Sequence, residues 1–410
     1  MANKKMKIGV VGLVRGEFVL KCAKYLPDRM EIAAVCEINE KTIEKVKEKG
    51  LIPEGVPVFT DFDEFIKCEM DGVVLANYFT GHCELAIKAM RAGVPVLSET
   101  TAAPTLGDCV RLVEAYEETK TKYMLGSNAI FARAIRGIKN IIDSGKYGPI
   151  VYGDAEYVHP PLPGSKPKKV DAENLHWRNT LPCCYYNMHD LGPMMYITNS
   201  VPVRTVGKAV VTPYETPSIK KTSKHYAILD MSNGSVINYS GCTGVGSLGN
   251  WYRVACKDGT VESVRFKSLE GKLIEAGDNH GPDYGLEYNV FERDLTWSGC
   301  GLVSEEDEEI VIKSINDGLH YGLDMVLTIH FLRFLNDDYE PFFDVYKSVA
   351  LSAAGILSWY SMLSDSKPMD IPDFTKKEER DKVRDDFRMP FGKTLDEITL
   401  PFNVGEKFER

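Results

Sequence analysis

Two short stretches set tyrosine and histidine at spacings suited to moving protons. The segment YYNMHDLGP (185–193) puts Tyr186 three residues before His189. The segment EYVH carries Tyr157 and His159. Histidine titrates near neutral pH, so it suits general-base work on a hydroxyl. Tyrosine, with an ordinary pKa near ~10, serves as an acid, or as a base only if strongly shifted. Each has a plainer alternative. His189 fits a helix-start histidine satisfied by backbone, and His159 an ordinary loop residue before Pro160-Pro161. Tyr157 and Tyr186 fit core aromatics.

The elements that must position these residues fall into two textures. Up to about residue 125, short apolar runs alternate with helical spacing: KIGVVGL, EFVLKCAKYL, EIAAVCE, EKTIEKVKEKG, DGVVLAN, CELAIKAMRAG, VPVLSET. That order predicts an α/β fold, a doubly wound parallel sheet with helices on both faces. Beyond about residue 150 the strands are alternating or β-branched, as in IVYGDAEYVH and HYAILDMSNGSVINYSG, with Asn-Gly and Asp-Gly turn signals. A second α+β domain with an open-faced, mostly antiparallel sheet is expected, covered by helices in YGLDMVLTIHFLRFL and VYKSVALSAAGILSWYSML. The expected domains are 1–127, 128–375 and an extended arm over 376–410. The run EEDEE at 305–309 reads as a solvated acidic turn.

Bulk composition narrows the function classes. The chain has 410 residues, 44% hydrophobic and 26% charged, with a net charge of −10. This is the balance of a globular protein and argues against nucleic-acid binding. The start, MANKKMKIGVVGLV, reads as a first strand rather than a signal peptide, and no run is long enough to span a membrane. A cytoplasmic protein is expected. Ten cysteines lack any C-x-x-C pair, which fits reduced thiols. Glu156, His159 and His176 have the chemistry of metal ligands but no defined spacing, and no metal is assigned.

The first strand opens through Gly12 into GLVRGEF and a helix, the arrangement that lets backbone approach a pyrophosphate. The glycine fingerprint is imperfect. Val14 stands at the second glycine position and Glu17 at the third, with Gly16 one residue early. The second strand ends at Glu37, where a carboxylate accepts both ribose hydroxyls of NAD and repels the 2′-phosphate of NADP. A solvated strand end is the plain alternative for Glu37. The expected cofactor is NAD, held by Gly12, Leu13, Val14, Arg15 and Glu37.

At this point the chain resembles the Gfo/Idh/MocA oxidoreductases over residues 6 to about 375. The likeness rests on the first half, GHCELAIKAMRAGVPVLSE, GSNAIFAR…SGKYGPIVYG, HDLGPMMYIT, KDGTVES and VYKSVALSAAGILSWYS…DIPDF. It implies a nicotinamide cofactor between the domains and a sugar or polyol substrate. Relatives carry Glu-Lys-Pro after the fifth strand, with the lysine on the reacting hydroxyl. Here the stretch is Glu99-Thr100-Thr101. The resemblance implies that Glu99 touches the nicotinamide ribose and that Asn77, His82 and Asn128 also border the cofactor.

EYVH and YNMH followed by Leu-Gly-Pro look like the Tyr-x-His and Tyr-x-x-His-x-Leu-Gly-Pro pattern of the NAD-dependent α-N-acetylgalactosaminidases. HYGLD and DVYKSVALSA look like that branch too, although a pocket glutamate of those enzymes corresponds to Asn128 here. The branch implies redox-neutral cleavage: a hydride leaves sugar C3, the C2 proton is removed, the C1 substituent departs, water adds, and the hydride returns. In that scheme His189 is the base for the reacting hydroxyl and Tyr186 a second proton-transfer group. Tyr157 and His159 orient the sugar or protonate the leaving oxygen. Trp177 and Arg178 of HWRN read as sugar-stacking and hydrogen-bonding residues, or as a plain Trp-anchored loop, and His320 as a further substrate contact. The alternatives are a sugar dehydrogenase that releases a keto-sugar and NADH, or a non-catalytic NAD-binding regulator. The open sheet face implies a homodimer or homotetramer.

Overall fold

A computed structural model of the chain describes residues 4–159, 181–210, 224–242, 248–265, 271–277 and 289–389. These form two units that interleave along the sequence. The first holds the residues up to Phe131, together with Gly301–Val349 and Phe374–Phe387, and the second holds the remainder.

In the first unit, β1 (Met6–Val11), β2 (Met30–Cys36), β3 (Val58–Phe59), β4 (Gly72–Leu75), β5 (Val96–Ser98) and β6 (Tyr123–Leu125) make one sheet in the order β3-β2-β1-β4-β5-β6. Every pairing is parallel. The strands are buried almost continuously, as a parallel sheet covered on both faces demands. Between them run α1 (Leu13–Tyr25), α2 (Glu40–Glu48), α3 (Phe62–Phe65), α4 (His82–Arg91) and α5 (Leu106–Thr119). Polar side chains start several of these helices: Asn39 accepts from Lys41 and Thr42 amides, and Thr105 from the Asp108 amide.

The second unit opens with α6 (Arg133–Asp143), then β7 (Ile150–Val158) and α7 (Leu191–Thr198). Strands β8 (Pro202–Val210), β9 (Lys224–Met231), β10 (Val236–Cys242), β11 (Gly249–Cys256), β12 (Gly259–Ser263), β13 (Lys272–Gly277) and β14 (Asn289–Asp294) follow. With the late β15 (Met369–Asp370) they form a nine-stranded sheet, ordered β14-β13-β12-β11-β7-β10-β9-β8-β15. Only β10 and β7 run parallel. Burial alternates strictly along β9, so one face is covered and the other open. The fold class is the expected one.

The segment from residue 301 does not stay with the second unit, where the sequence reading put it. Helices α8 (Glu305–Ser314) and α9 (Leu323–Leu335) belong to the first, and α10 (Val345–Leu363) runs across the division. The reason is packing. A Cβ on Gly72, at the start of β4, would stand 3.0–3.1 Å from Phe331 and Leu335 of α9, so a bare strand end receives an apolar helix.

The run 305–309 is the first turn of α8 rather than a free turn. Ser304 caps it at the Asp307 amide, and its acids lie at the favourable end of the helix dipole. Part of the expected arm also packs on the first unit. The short α11 (Lys377–Asp381) brings Arg380 to Glu117, Arg384 binds Glu114, and Phe387 lies over Gly107.

Candidate cofactor and proton-transfer residues

In the first unit the chain leaves β1 through Gly12, at φ 81°. A Cβ there would stand 2.4 Å from the Asn77 nitrogen, so only glycine lets these two backbones cross. Gly16 supplies the close packing expected of the third fingerprint glycine, since a Cβ on it would lie 2.7 Å from Val10 Cγ1. Val14, at the second position, is 77% exposed. Glu37 turns both carboxylate oxygens on backbone: Oε2 accepts the Leu13 amide at 2.8 Å and Oε1 the Asn39 amide at 3.0 Å. It thereby ties the end of β2 to the first amide of α1.

Three of the expected residues meet at one that the sequence reading left unassigned. Asp324, fully buried at the start of α9, accepts both Arg15 terminal nitrogens at 2.8 Å. It also takes His320 Nδ1 at 2.7 Å and Asn128 Nδ2 at 3.0 Å. Arg15 further pairs with Glu99 at 2.6 Å and lies over the Phe18 ring. Burial alone would raise the Asp324 carboxyl. The hydrogen bonds from Arg15 and His320, with their charges, hold it well below the ordinary carboxylate range instead. His320, Tyr321 and Gly322 are consecutive residues at positive φ, a backbone cost concentrated next to this cluster.

His82, 1% exposed at the start of α4, sits between two backbone carbonyls, Asn77 O at 3.0 Å from Nε2 and Thr101 O at 3.2 Å from Nδ1, and its neutral ring donates to one of them. Burial lowers its pKa, against the raising effect of those carbonyls. Its imidazole therefore braces the Asn77 and Thr101 loops. Asn77 Nδ2 donates to Tyr78 O, while its buried Oδ1 lacks a protein partner.

In the second unit the Tyr/His residues converge. Tyr157, on the covered face of β7, has its ring centroid 4.8 Å from His189 and 6.0 Å from Tyr186. The Tyr186 and His189 rings meet edge-on at 5.1 Å, with Tyr186 Oη 3.3 Å from His189 Nε2. His159 follows one residue beyond β7, its ring 6.1 Å from Tyr157 and its amide donating to Cys242 O. Pro182 precedes the helical turn Cys183–Tyr186, and Asp190 caps α7 through the Leu191 amide. Those two devices fix the intervening His189. The Tyr252 hydroxyl of β11 donates to the His189 carbonyl, a support that sequence reasoning did not find. Trp177, Arg178 and His176 lie outside the described residues. Glu156 is engaged by Lys224 and Arg265.

Residues 6–127 match the oxidoreductase family with an NAD-binding Rossmann fold (the Gfo/Idh/MocA model). Its first domain is a Gfo/Idh/MocA domain. Residues 310–380 match the C-terminal domain of glycosyl hydrolase 109. The chain is similar to an α-N-acetylgalactosaminidase of Shewanella oneidensis, 23% identical over 85% of this chain and 80% of that protein. It is also similar to glycosyl hydrolase family 109 protein 2 of Phocaeicola vulgatus, 25% identical over 90% of this chain and 95% of that one. Among solved structures, a levoglucosan dehydrogenase in complex with NADH and levoglucosan superposes with a TM-score of 0.69 at 15% identity. It covers 90% of this chain and 100% of its own. An oxidoreductase from Agrobacterium radiobacter in complex with NAD+, L-tartaric acid and magnesium superposes at 0.68 and 18% identity, over 90% and 98%.

The protein is an NAD-dependent enzyme. The residues of the Gfo/Idh/MocA domain fit that cofactor. A Cβ would close the Gly12 crossing, Asn77 Oδ1 is an orphaned buried acceptor beside it, and Glu37 stands at the end of the second strand. No described helix is long and apolar enough to cross a membrane.

Proposed function

We propose that the protein cleaves a glycoside by a redox-neutral route, beginning with oxidation of the sugar ring at C3. The observation that carries this is the cluster of Tyr157, Tyr186, His159 and His189. What bound NAD supplies is reversible hydride acceptance from a sugar C–H. Gly12, Leu13, Glu37 and Asn77 hold it, with Arg15, Val14, His82, Glu99 and Asn128 shaping the surrounding loops.

His189 Nε2 takes the proton of the C3 hydroxyl and releases it to solvent water. The neutral imidazole then accepts the proton of Tyr186 Oη, 3.3 Å away. The phenolate so formed removes the C2 hydrogen, which the adjacent ketone has acidified. Tyr157 orients the ring, and His159 protonates the departing C1 oxygen. Trp177 and Arg178, outside the described residues, remain proposed sugar-binding residues, as does His320 of the first unit. Hydrolysis is favoured over net oxidation by the match of residues 310–380 to the glycosyl hydrolase 109 domain and by threonine at position 100 in place of lysine.

The reaction is placed in the cytoplasm, in keeping with ten free cysteines. The working form is a homodimer or homotetramer. The open sheet face exposes Tyr152, Tyr226, Ile228 and Val236, an apolar patch that a second copy would cover.

The test is an NMR time course in D₂O with NAD⁺ and a pool of α- and β-linked glycosides. Loss of the sugar C2 proton signal with free sugar released, and no net NADH, is the expected result. Accumulating keto-sugar and NADH would replace the proposal with a dehydrogenase. No reaction across the pool would overturn the glycoside assignment.

A further inference from the structure

Beneath the Tyr186–His189 turn, the covered face of the nine-stranded sheet carries a polar rung. In register, His225 of β9 stands beside Gly241 of β10, and Gly241 beside Tyr157 of β7. The glycine leaves a gap between histidine and tyrosine, and the Asp190 carboxyl fills it. A Cβ on Gly241 would stand 2.9 Å from Asp190 Oδ2 and 2.6 Å from His225 Cε1. Both side chains are fully buried. Asp190 Oδ1 accepts the Leu191 amide at 2.7 Å, but Oδ2 and both His225 nitrogens lack a hydrogen-bond partner. His225 Nε2 and Asp190 Oδ2 are 3.7 Å apart. An ionised carboxylate with a bare oxygen is costly in such a place, and so is an imidazole with two unsatisfied nitrogens. One proton held between them removes the bare anion at Oδ2 and engages one of the two nitrogens, Nε2.

We propose that Asp190 and His225 are a positioning pair for His189, holding a single proton between Oδ2 and Nε2. The inference rests on the reading of His189 as the base and deepens it. Burial pushes Asp190 up to about 7, against the Leu191 amide, and pushes His225 down to about 3, assisted by Lys224. The proton therefore rests on the carboxyl, which donates to a neutral imidazole.

The titratable and charged groups facing the pair are Lys224 on β9, Tyr239 on β10 with its ring 5.1 Å from His225, Tyr252 on β11, and Cys184. Tyr157 on β7 and His189 itself complete the set. A neutral Asp190 fixes the backbone next to His189 without adding charge. Once ionised, it favours the imidazolium form of His189.

The experiment is NMR of ¹⁵N-histidine-labelled full-length protein across neutral pH, comparing wild type with Asp190→Asn. His225→Gln and His189→Gln identify the two resonances. The expected result is a hydrogen-bonded His225 Nε2 that changes state in Asp190→Asn, with the His189 titration moved downward as far as ionised Asp190 had favoured the imidazolium. A His225 signal or a His189 titration indifferent to Asp190→Asn overturns the proposal. Infrared spectra of wild type with ¹³C-labelled aspartate need no variant. A protonated carboxyl band at pH 6 is expected, and its absence overturns the proposal. None of these readouts involves turnover, so a failed glycoside assay and a failed proton pair are separate outcomes.

Discussion

Replacing His225 with glutamine should make the protein lose stability as pH rises, a slope that the wild type lacks. Folding raises the Asp190 carboxyl from an ordinary 3.8 to about 7 and lowers the His225 imidazole from 6.5 to about 3. A carboxyl raised on folding contributes stability that is complete below its unfolded pKa and is lost as pH climbs through its folded one. A lowered imidazole does the reverse, contributing fully above 6.5 and losing that contribution as pH falls toward 3.

Between about pH 4 and 6.5 the two slopes oppose, because folded and unfolded states each hold one proton on the pair. Without His225 only the carboxyl slope remains. The window from 3.8 to 7 is 3.2 units wide, which at roughly 1.4 kcal/mol per unit is about 4 kcal/mol. Asp190→Asn leaves the opposite slope, with stability falling as pH drops below 6.5. The assay is urea unfolding in half-unit steps from pH 4 to pH 8 for wild type and both variants. Parallel profiles for all three would refute the reasoning.

His189→Gln should cut turnover and deuterium incorporation at sugar C2 by about 10²–10⁴-fold while leaving the unfolding midpoint in place. Glu37→Ala removes the carboxylate at the end of β2 and the two amide contacts that tie it to α1. NAD affinity measured by calorimetry should drop about tenfold or more. Asp324→Asn removes the bidentate partner of Arg15, which keeps Glu99, and should cost about 1–3 kcal/mol in denaturant unfolding. Because Arg15 and His320 hold that carboxyl low, its contribution is complete above about pH 4 and fades as pH falls below it, so the gap to the variant narrows in acid. Ile228→Asp on the open sheet face should convert an oligomer to a smaller species in light scattering, with little change in monomer stability.

The parallel sheet was legible because its chemistry is local. Strands buried on both faces read as unbroken apolar runs, and β1 is such a run. The open sheet was legible from the alternation along β9. Gly12 and Glu37 lie within one strand–helix–strand unit, so their relation follows from sequence distance. The Tyr157 and Tyr186–His189 motifs were visible as residue types, and the fold brings their rings together.

Three features were not legible. The helical start at 305–309 depends on Ser304 as its cap, a signal the acidic run concealed. The transfer of α9 to the first unit depends on room at Gly72, which nothing near residue 323 announces. Gly16 took the packing role that the imperfect fingerprint left open, because packing depends on where the glycine faces Val10 rather than on its place in a pattern.

By itself, the sequence determined the two classes of sheet, the strand–loop–helix that opens at Gly12, and which tyrosines and histidines are available for proton transfer. Periodicity, turn chemistry and residue type are properties of neighbours along the chain. Only the tertiary structure decided that Asp324, 309 residues from Arg15, holds its guanidinium. Only it decided that a missing side chain at Gly241 seats Asp190 against His225. Burial and pairing come from residues distant in sequence, and they decide whether a carboxyl is held as an anion, as at Asp324, or raised toward its acid, as at Asp190.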